Sequence, residues 1–422
     1  MNISKGKQIK LLFLIWLIHL IFLFYNSLIH LKSTGIYLWC VGVILFLFLF
    51  KKFNYSPIIN IYLLFSFLNL FYLLPYYFFN IPYHYLTENQ SFYLTNKTVL
   101  IFILFTSVLF FRLDLKTIRK PIFFNYYNDN LIYFLSIIIL VVMYPISIIT
   151  NPPSIGTAYT GEITTSIWLE YCIIFFIIGG LYSRSSKRKV LLLTISAFYI
   201  ILPLLYGRRL QSIMIILTIF NLFYSSKFST RRVLLFSIIG FIGLRAFASI
   251  RMGQSMSILS SLLSINENNI MGNNQGGVLV CSTSYLALIE DGTFDLGFRV
   301  RSFTGQFTSI LLPYEWNMQE AYVNFSALNY TPIPGNGGLV STYLFLWGGL
   351  LGVFVGALIL RYILMKPDDN IYNRAIIIFI LSTFPRWHSY NLMILFKMTF
   401  WLLLFLSLIK LYAKFNLEPK SL

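Results

Sequence analysis

The sequence predicts an all-α, polytopic membrane protein with about 12 transmembrane helices and one large extracytoplasmic loop carrying short interfacial helices. Three observations carry this. The 422-residue chain is 58% hydrophobic and 18% aromatic with only 11% charged residues, which no soluble globule matches. Its apolar residues come in runs near the roughly 20 residues that cross a bilayer. Its basic residues sit in short clusters between those runs, where membrane orientation is encoded. The net charge of +18 is therefore topological, and nucleic acid is not an expected partner.

The elements follow in order. Lys5, Lys7 and Lys10 precede the first run, Leu11 to Leu31, and place the N-terminus in the cytoplasm. That run lacks a small-residue cleavage site and reads as a signal anchor. The chain returns through Ile36 to Phe50 and meets Lys51 and Lys52. A third span, Ile58 to Phe79, leads to an outer loop, and the fourth comes back to the basic RLDLKTIRK. The fifth covers Leu131 to Ile149, and the sixth returns at SRSSKRK. The seventh, Val190 to Tyr206, ends at Gly207-Arg208-Arg209, the eighth runs from Leu210 to Tyr224, and the ninth rises from Val233. The tenth descends from Leu339 to Leu360. A short eleventh run, Ala375 to Phe384, reaches a turn at Pro385-Arg386-Trp387-His388, and the twelfth, Leu392 to Leu411, ends inside near Lys410 and Lys414. Residues 1–249 thus form a membrane domain of nine spans, 250–336 the large loop, and 337–422 a closing domain of three spans, with both termini cytoplasmic.

A connection as long as residues 250–336 inside a compact membrane domain is usually functional. It holds two apolar runs, VLVCSTSYLALI and GFRVRSFTGQFTSILL, each shorter than a spanning helix needs. Both are read as helices on the bilayer surface. In the second, Val300, Phe303, Phe307 and Leu311 recur at helical spacing, with Arg299 and Arg301 on the polar side. The alternative is an additional hairpin of spans. Cys40 and Cys172 lie in apolar runs and only Cys281 lies in the loop, so neither a disulfide framework nor a zinc cluster is expected. No metal and no cofactor are predicted.

Most of the 32 Lys and Arg residues fall on the predicted inner side. The rest are Lys32, Lys97 and Lys397 with Arg208, Arg209, Arg245, Arg251, Arg299, Arg301 and Arg386. The outer set is mostly arginine, and topology does not distinguish the two cations, whereas bidentate recognition of phosphate favours the planar guanidinium. The bland alternative pairs each with an outer carboxylate such as Glu88, Glu162, Glu290 or Asp295. Arg208 and Arg209 also immediately precede the eighth span, so a helix N-terminus with free N–H groups belongs to the same place.

An anion met from the outer leaflet, beside apolar helices, fits the pyrophosphate of a polyprenyl-linked sugar. The loop's Asn, Gln, Tyr and Trp residues, including Tyr314 and Trp316, suit sugar hydroxyls and sugar faces. Arginines that neutralise a pyrophosphate leaving group can replace a divalent ion. For the general base, Glu315, Glu320, Asp291 and His388 are the candidates. There is no DxD pair, HExxH, P-loop or nucleophile elbow to support other chemistry. In the tenth span Gly348, Gly352 and Gly356 recur every four residues, a pattern of close helix packing.

The segment TPIPGNGGLVSTYLFLWGGLLGVFVGALI resembles the end of the large outer loop and the following span in bacterial oligosaccharide repeat-unit polymerases of the O-antigen polymerase type. Gly207-Arg208-Arg209 is similar to that family's outer-face arginine element. One departure is EAYVNF, which the resemblance puts at the start of the span after the loop and which here lies inside the loop, Glu320 to Phe325. The resemblance implies metal-independent transfer of a lipid-linked glycan onto a lipid-linked repeat unit at the outer face of the bacterial cytoplasmic membrane. Its partners would be the polyprenyl-pyrophosphate-linked donor and acceptor, membrane lipid, a chain-length regulator and a flippase. An O-antigen ligase-like transferase shares these features apart from its acceptor. A flippase would show related halves and charges deep in spans; no internal repeat is visible, and Glu170 and Lys397 are among the few deep charges.

Overall fold

The computed structural model describes residues 5–79, 88–113, 129–149, 168–205, 209–225, 227–251, 274–311, 323, 337–367 and 370–417. Among the described residues all regular structure is helical. The helices are α1 (Lys5–Tyr25), α2 (Lys32–Lys52), α3 (Pro57–Phe71), α4 (Leu74–Phe79), α5 (Glu88–Phe110), α6 (Asp129–Ile149), α7 (Trp168–Leu181), α8 (Ser186–Leu205), α9 (Arg209–Phe223), α10 (Thr230–Arg251), α11 (Asn274–Glu290), α12 (Leu296–Thr308), α13 (Val340–Leu364), α14 (Ile371–Ser389) and α15 (Met393–Leu417). Six of the described segments are long and apolar enough to cross a membrane: Lys32–Lys52, Pro57–Phe79, Phe92–Phe110, Asn130–Ser147, Val340–Leu364 and Met393–Tyr412.

α5 is the centre, enclosed by α1, α2, α11 and α13, and every residue from Leu94 to Phe110 is buried. The buried amide of Asn96 organises the first hairpin. The apolar run expected to continue to Leu31 stops at Tyr25, because the Asn26 side chain accepts from Leu28 N at 2.9 Å and caps a 3-10 turn, Ser27–His30. Asn96 Nδ2 donates to the carbonyls of Ile29 (2.8 Å) and Leu31 (3.0 Å), while the Tyr77 hydroxyl donates to its Oδ1 (2.7 Å). The carbonyls that the turn brings inside are thus satisfied. Gly35 is required beside them, since a Cβ there would sit 2.1 Å from the Tyr77 ring.

A second group of helices, α6 to α9 with α14, packs along α7 and α9. Cations gather at one end of the bundle. Lys52 Nζ donates to the Phe110 carbonyl (2.9 Å), Arg361 Nη1 donates to that of Phe111 (3.1 Å), and Thr230 Oγ1 donates to that of Asn54. Lys52 and Arg361 here satisfy carbonyls left open at a helix C-terminus.

Four further expectations need correction. The third span is broken at Tyr72 and Leu73 into α3 and α4. The first loop run is not a surface helix: in α11, Val278 to Leu286 are buried against α5, α3 and α13. Ser282 and Thr283 donate to the carbonyls of Val278 (2.8 Å) and Leu279 (2.9 Å), so the helix carries its hydroxyls inside already bonded. The eleventh run does not end at Pro385. α14 continues through it to Ser389, so Arg386 and His388 stand on a helical turn.

The fourth correction concerns α13, which has the length of a span but is not straight. Gly348 (φ −139°, ψ 17°) and Gly349 (φ 59°, ψ −151°) leave helical geometry, and the second conformation is one that glycine adopts without a Cβ penalty. Beyond the break, a Cβ on Gly352 would lie 2.2 Å from the Leu344 carbonyl oxygen, and one on Gly356 would lie 2.5 Å from the Leu344 side chain. In a straight helix residues so far apart are separated by roughly 12 to 18 Å. Of the glycine repeat, Gly352 and Gly356 therefore pack against the first half of α13 itself, while Gly348 faces open space.

α12 is amphipathic in reverse. Ser302 (0% exposed) and Gln306 (3%) are buried, while Val300 (54%), Phe303 (44%) and Phe307 (46%) are exposed. The spacing read from the sequence is helical here, with the apolar face outward, as an interfacial helix requires.

Candidate functional site

Three helix ends meet around one carboxylate. α7 starts at Trp168, which puts Glu170 in its first turn, where a negative charge suits the exposed N–H groups. α9 starts at Arg209, which puts Gln211 in its first turn. α14 carries Arg386 in its last turn, where a cation suits the open carbonyls. Glu170 Oε1 lies 3.2 Å from Arg386 Nη2 and accepts a hydrogen bond of 3.2 Å from Gln211 Nε2. Glu170 and Gln211 are buried, whereas the Arg386 side chain is 22% exposed. Its Nε is buried without an acceptor among the described residues. Removing either member of such a pair leaves an uncompensated charge in a dry setting, at a cost of about 3 to 5 kcal/mol.

The end of α14 is also where the large loop re-enters the bundle. The Tyr343 hydroxyl donates to the Tyr390 carbonyl (3.1 Å), and a Cβ on Gly337 would sit 1.7 Å from that oxygen. Gly338 packs on the Tyr285 ring, and Leu339 N donates to Ser282 Oγ (2.8 Å). Gly337 and Gly338, the last two glycines of the PGNGG stretch, are there because backbone, not side chain, touches α11 and the end of α14.

Of the residues singled out in the sequence, Arg386 joins this junction. Arg209 begins the helix that supplies Gln211 to it, and Arg245 and Arg251 lie on α10; these three are placed by backbone alone. Arg208, Tyr314, Glu315, Trp316 and Glu320 lie outside the described residues. Arg299 is committed elsewhere, its Nε donating to the Leu346 carbonyl. Arg301 is exposed on α12. Lys97 is held in a structural role, joining α5 to α11: its Nζ lies 2.7 Å from Glu290 Oε1, bonds the Tyr93 hydroxyl and sits 4.9 Å from the Phe24 ring.

His388 is fully buried among Tyr62, Phe65, Phe102 and Trp387. Its Nε2 is 3.3 Å from Ser66 Oγ and its Nδ1 is 3.0 Å from Ser389 Oγ. Both ring nitrogens are used, and the enclosure suits a packed core histidine rather than a base that meets a sugar hydroxyl. Glu170 was visible in the sequence only as a charge in an apolar run; nothing local marks it as the partner of a residue so distant in the chain. Among the described residues no three His, Cys, Asp or Glu side chains gather to hold a metal ion. Comparison with protein families, with curated proteins and with solved structures finds no match to this chain.

Proposed function

We propose that this protein polymerises polyprenyl-pyrophosphate-linked oligosaccharide repeat units into surface polysaccharide at the outer face of the bacterial cytoplasmic membrane, as a metal-independent glycosyltransferase. The observation that carries the reading is the junction of Arg386, Glu170 and the first turn of α9, the helix that begins at Arg209. An ionisable pair inside an apolar bundle marks a functional site by default. Here it combines a partly open guanidinium with a helix N-terminus, two features that favour an anion.

In this reading the bundle threads the membrane about 12 times with both termini cytoplasmic, and the charge junction belongs to the outer side. The donor's pyrophosphate sits against Arg386 and the start of α9, with Arg208 and Arg209 beside it. The acceptor hydroxyl attacks the anomeric carbon, the bond to the pyrophosphate oxygen breaks, and the electron pair leaves on the pyrophosphate. The arginines stabilise that charge as it develops. α12 lies with its exposed apolar face in the outer leaflet, which suits a substrate that arrives through lipid. Arg301, Arg245 and Arg251, with Tyr314 and Trp316, are proposed contacts to the glycan and its linkage, and Glu315 and Glu320 remain the proposed loop bases. A chain-length regulator and a flippase are the proposed protein partners.

The test is deletion of the gene followed by gel analysis of surface glycan length. Loss of the ladder with single repeats retained on the final acceptor is the expected result. Unmodified acceptor would instead assign the protein to ligation or to flipping.

A further inference from the structure

We infer that Glu170 is the exchangeable counter-ion of an oxyanion subsite on Arg386. In the resting protein its carboxylate occupies one edge of the guanidinium, and a diphosphate oxygen takes that place when the ligand arrives. This deepens, and rests on, the reading of the junction as a pyrophosphate site.

Three features point to exchange rather than to a fixed structural pair. The first is valence. A guanidinium carries five N–H donors in a planar fork, but the ion pair engages Arg386 through Nη2, and the buried Nε has no acceptor among the described residues. Buried donors are normally satisfied, so an orphan on a binding-type side chain marks a place for an acceptor. The second is geometry. Glu170 meets Arg386 through Oε1 alone, and the same oxygen also accepts from Gln211 Nε2. That contact lacks the two parallel bonds of the strong fork-to-fork arrangement, which a diphosphate, with oxygens on two phosphorus atoms, can supply. The third is what exchange leaves behind. Gln211 keeps its bond to Glu170, and the first turn of α7 presents N–H groups to the released carboxylate. Neither partner is stranded: Arg386 has a counter-ion when empty and a better one when loaded, which avoids the cost of an unpaired buried charge.

The inference is tested by titrating purified full-length protein in detergent with inorganic pyrophosphate. If Glu170 competes with the ligand for Arg386, Glu170→Gln binds pyrophosphate tighter than wild type by roughly ten- to a hundredfold, the range expected for removing one charge-assisted contact, and Arg386→Gln loses the binding. The double variant Glu170→Gln/Arg386→Gln carries no buried charge, so it folds and does not bind. Equal or weaker pyrophosphate binding by a folded Glu170→Gln overturns the exchange. Should Glu170→Gln not fold, a structure of the wild-type protein with pyrophosphate decides: a phosphate oxygen on Arg386, with Glu170 beyond ion-pair distance, upholds the exchange, and an intact pair beside bound ligand overturns it. The two readings fail separately. The expected order of affinities in a protein whose deletion leaves the glycan ladder intact overturns the polymerase and upholds the exchange. A ladder that needs the protein, combined with affinities indifferent to residue 170, does the reverse.

Discussion

The guanidinium Nε of Arg299 donates to the carbonyl of Leu346, two residues before the Gly348–Gly349 break in α13. The same seam is closed by Trp347 Nε1, which donates to Ser302 Oγ at 3.0 Å, and by the Phe303 ring, 5.7 Å from that of Trp347. A helix with its apolar side outward is thus joined to a broken helix whose first half, through Tyr343, reaches the end of α14.

Arg299→Ala removes the charged donor at this break. A hydrogen bond to a charged group contributes about 1.5 to 3 kcal/mol, so hydrogen exchange of the α12 amides should quicken by roughly tenfold or more. Trp347 fluorescence should shift as its indole loses Ser302. Unchanged protection over Leu296–Thr308 would show that α12 is held by packing alone.

The glycines of α13 should respond in opposite ways. Gly348 has open space around it and a negative φ, whereas a Cβ on Gly352 meets the Leu344 carbonyl. Gly348→Ala should leave thermal unfolding in detergent nearly unchanged. Gly352→Ala should cost about 1 to 3 kcal/mol, as overpacking does. Equal stability of the two variants would mean that Leu344 does not rest on Gly352.

Phe303 and Phe307 are exposed on α12 while the polar residues that precede them, Ser302 and Gln306, are buried. Replacing both with Asp should abolish polymer formation while the protein still inserts, because the helix can no longer rest in lipid. A full glycan ladder from the inserted double variant sinks the idea.

Arg209 is the first residue of α9, and Arg208 comes immediately before it in the sequence. If they hold the pyrophosphate, losing one bidentate contact in the transition state should lower turnover by about one to two orders of magnitude. Lys keeps the charge without the fork, so Arg208→Lys and Arg209→Lys should be impaired and the Ala variants nearly dead. Ladder length normalised to inserted protein measures this. Near-normal ladders from both Ala variants would move the site away from the start of α9.

Both termini and the segments around Lys51, Lys116, Lys187, Arg231 and Asp368 are expected in the cytoplasm, with residues 250–336 outside. Single introduced cysteines, in a background where the exposed Cys40 is replaced by Ser, test this with an impermeant thiol reagent. Labelling at Asp368 but not at Asn273 in intact cells would falsify the threading.

The sequence by itself determined the all-helical class, because composition and run length depend only on local chemistry. It also determined the α12 stripe, since Val300, Phe303 and Phe307 share a face by helical spacing alone. Tertiary structure decided what depends on distant partners. α11 was too short to span and so looked like a surface helix; it is buried because its hydroxyls bond its own carbonyls and α5 and α13 cover it. Pro385 signals an end to a helix, yet α14 runs on through it, and that continuation turns Arg386 toward Glu170 and His388 toward Ser66. The break at Gly349 needs a positive φ that glycine permits but does not dictate, and the contact of Leu344 with Gly352 selects it. The pairing of Glu170 with Arg386 could not be read in advance, because a charge in an apolar run shows that a partner is needed and only the packing of α7 on α14 shows which one.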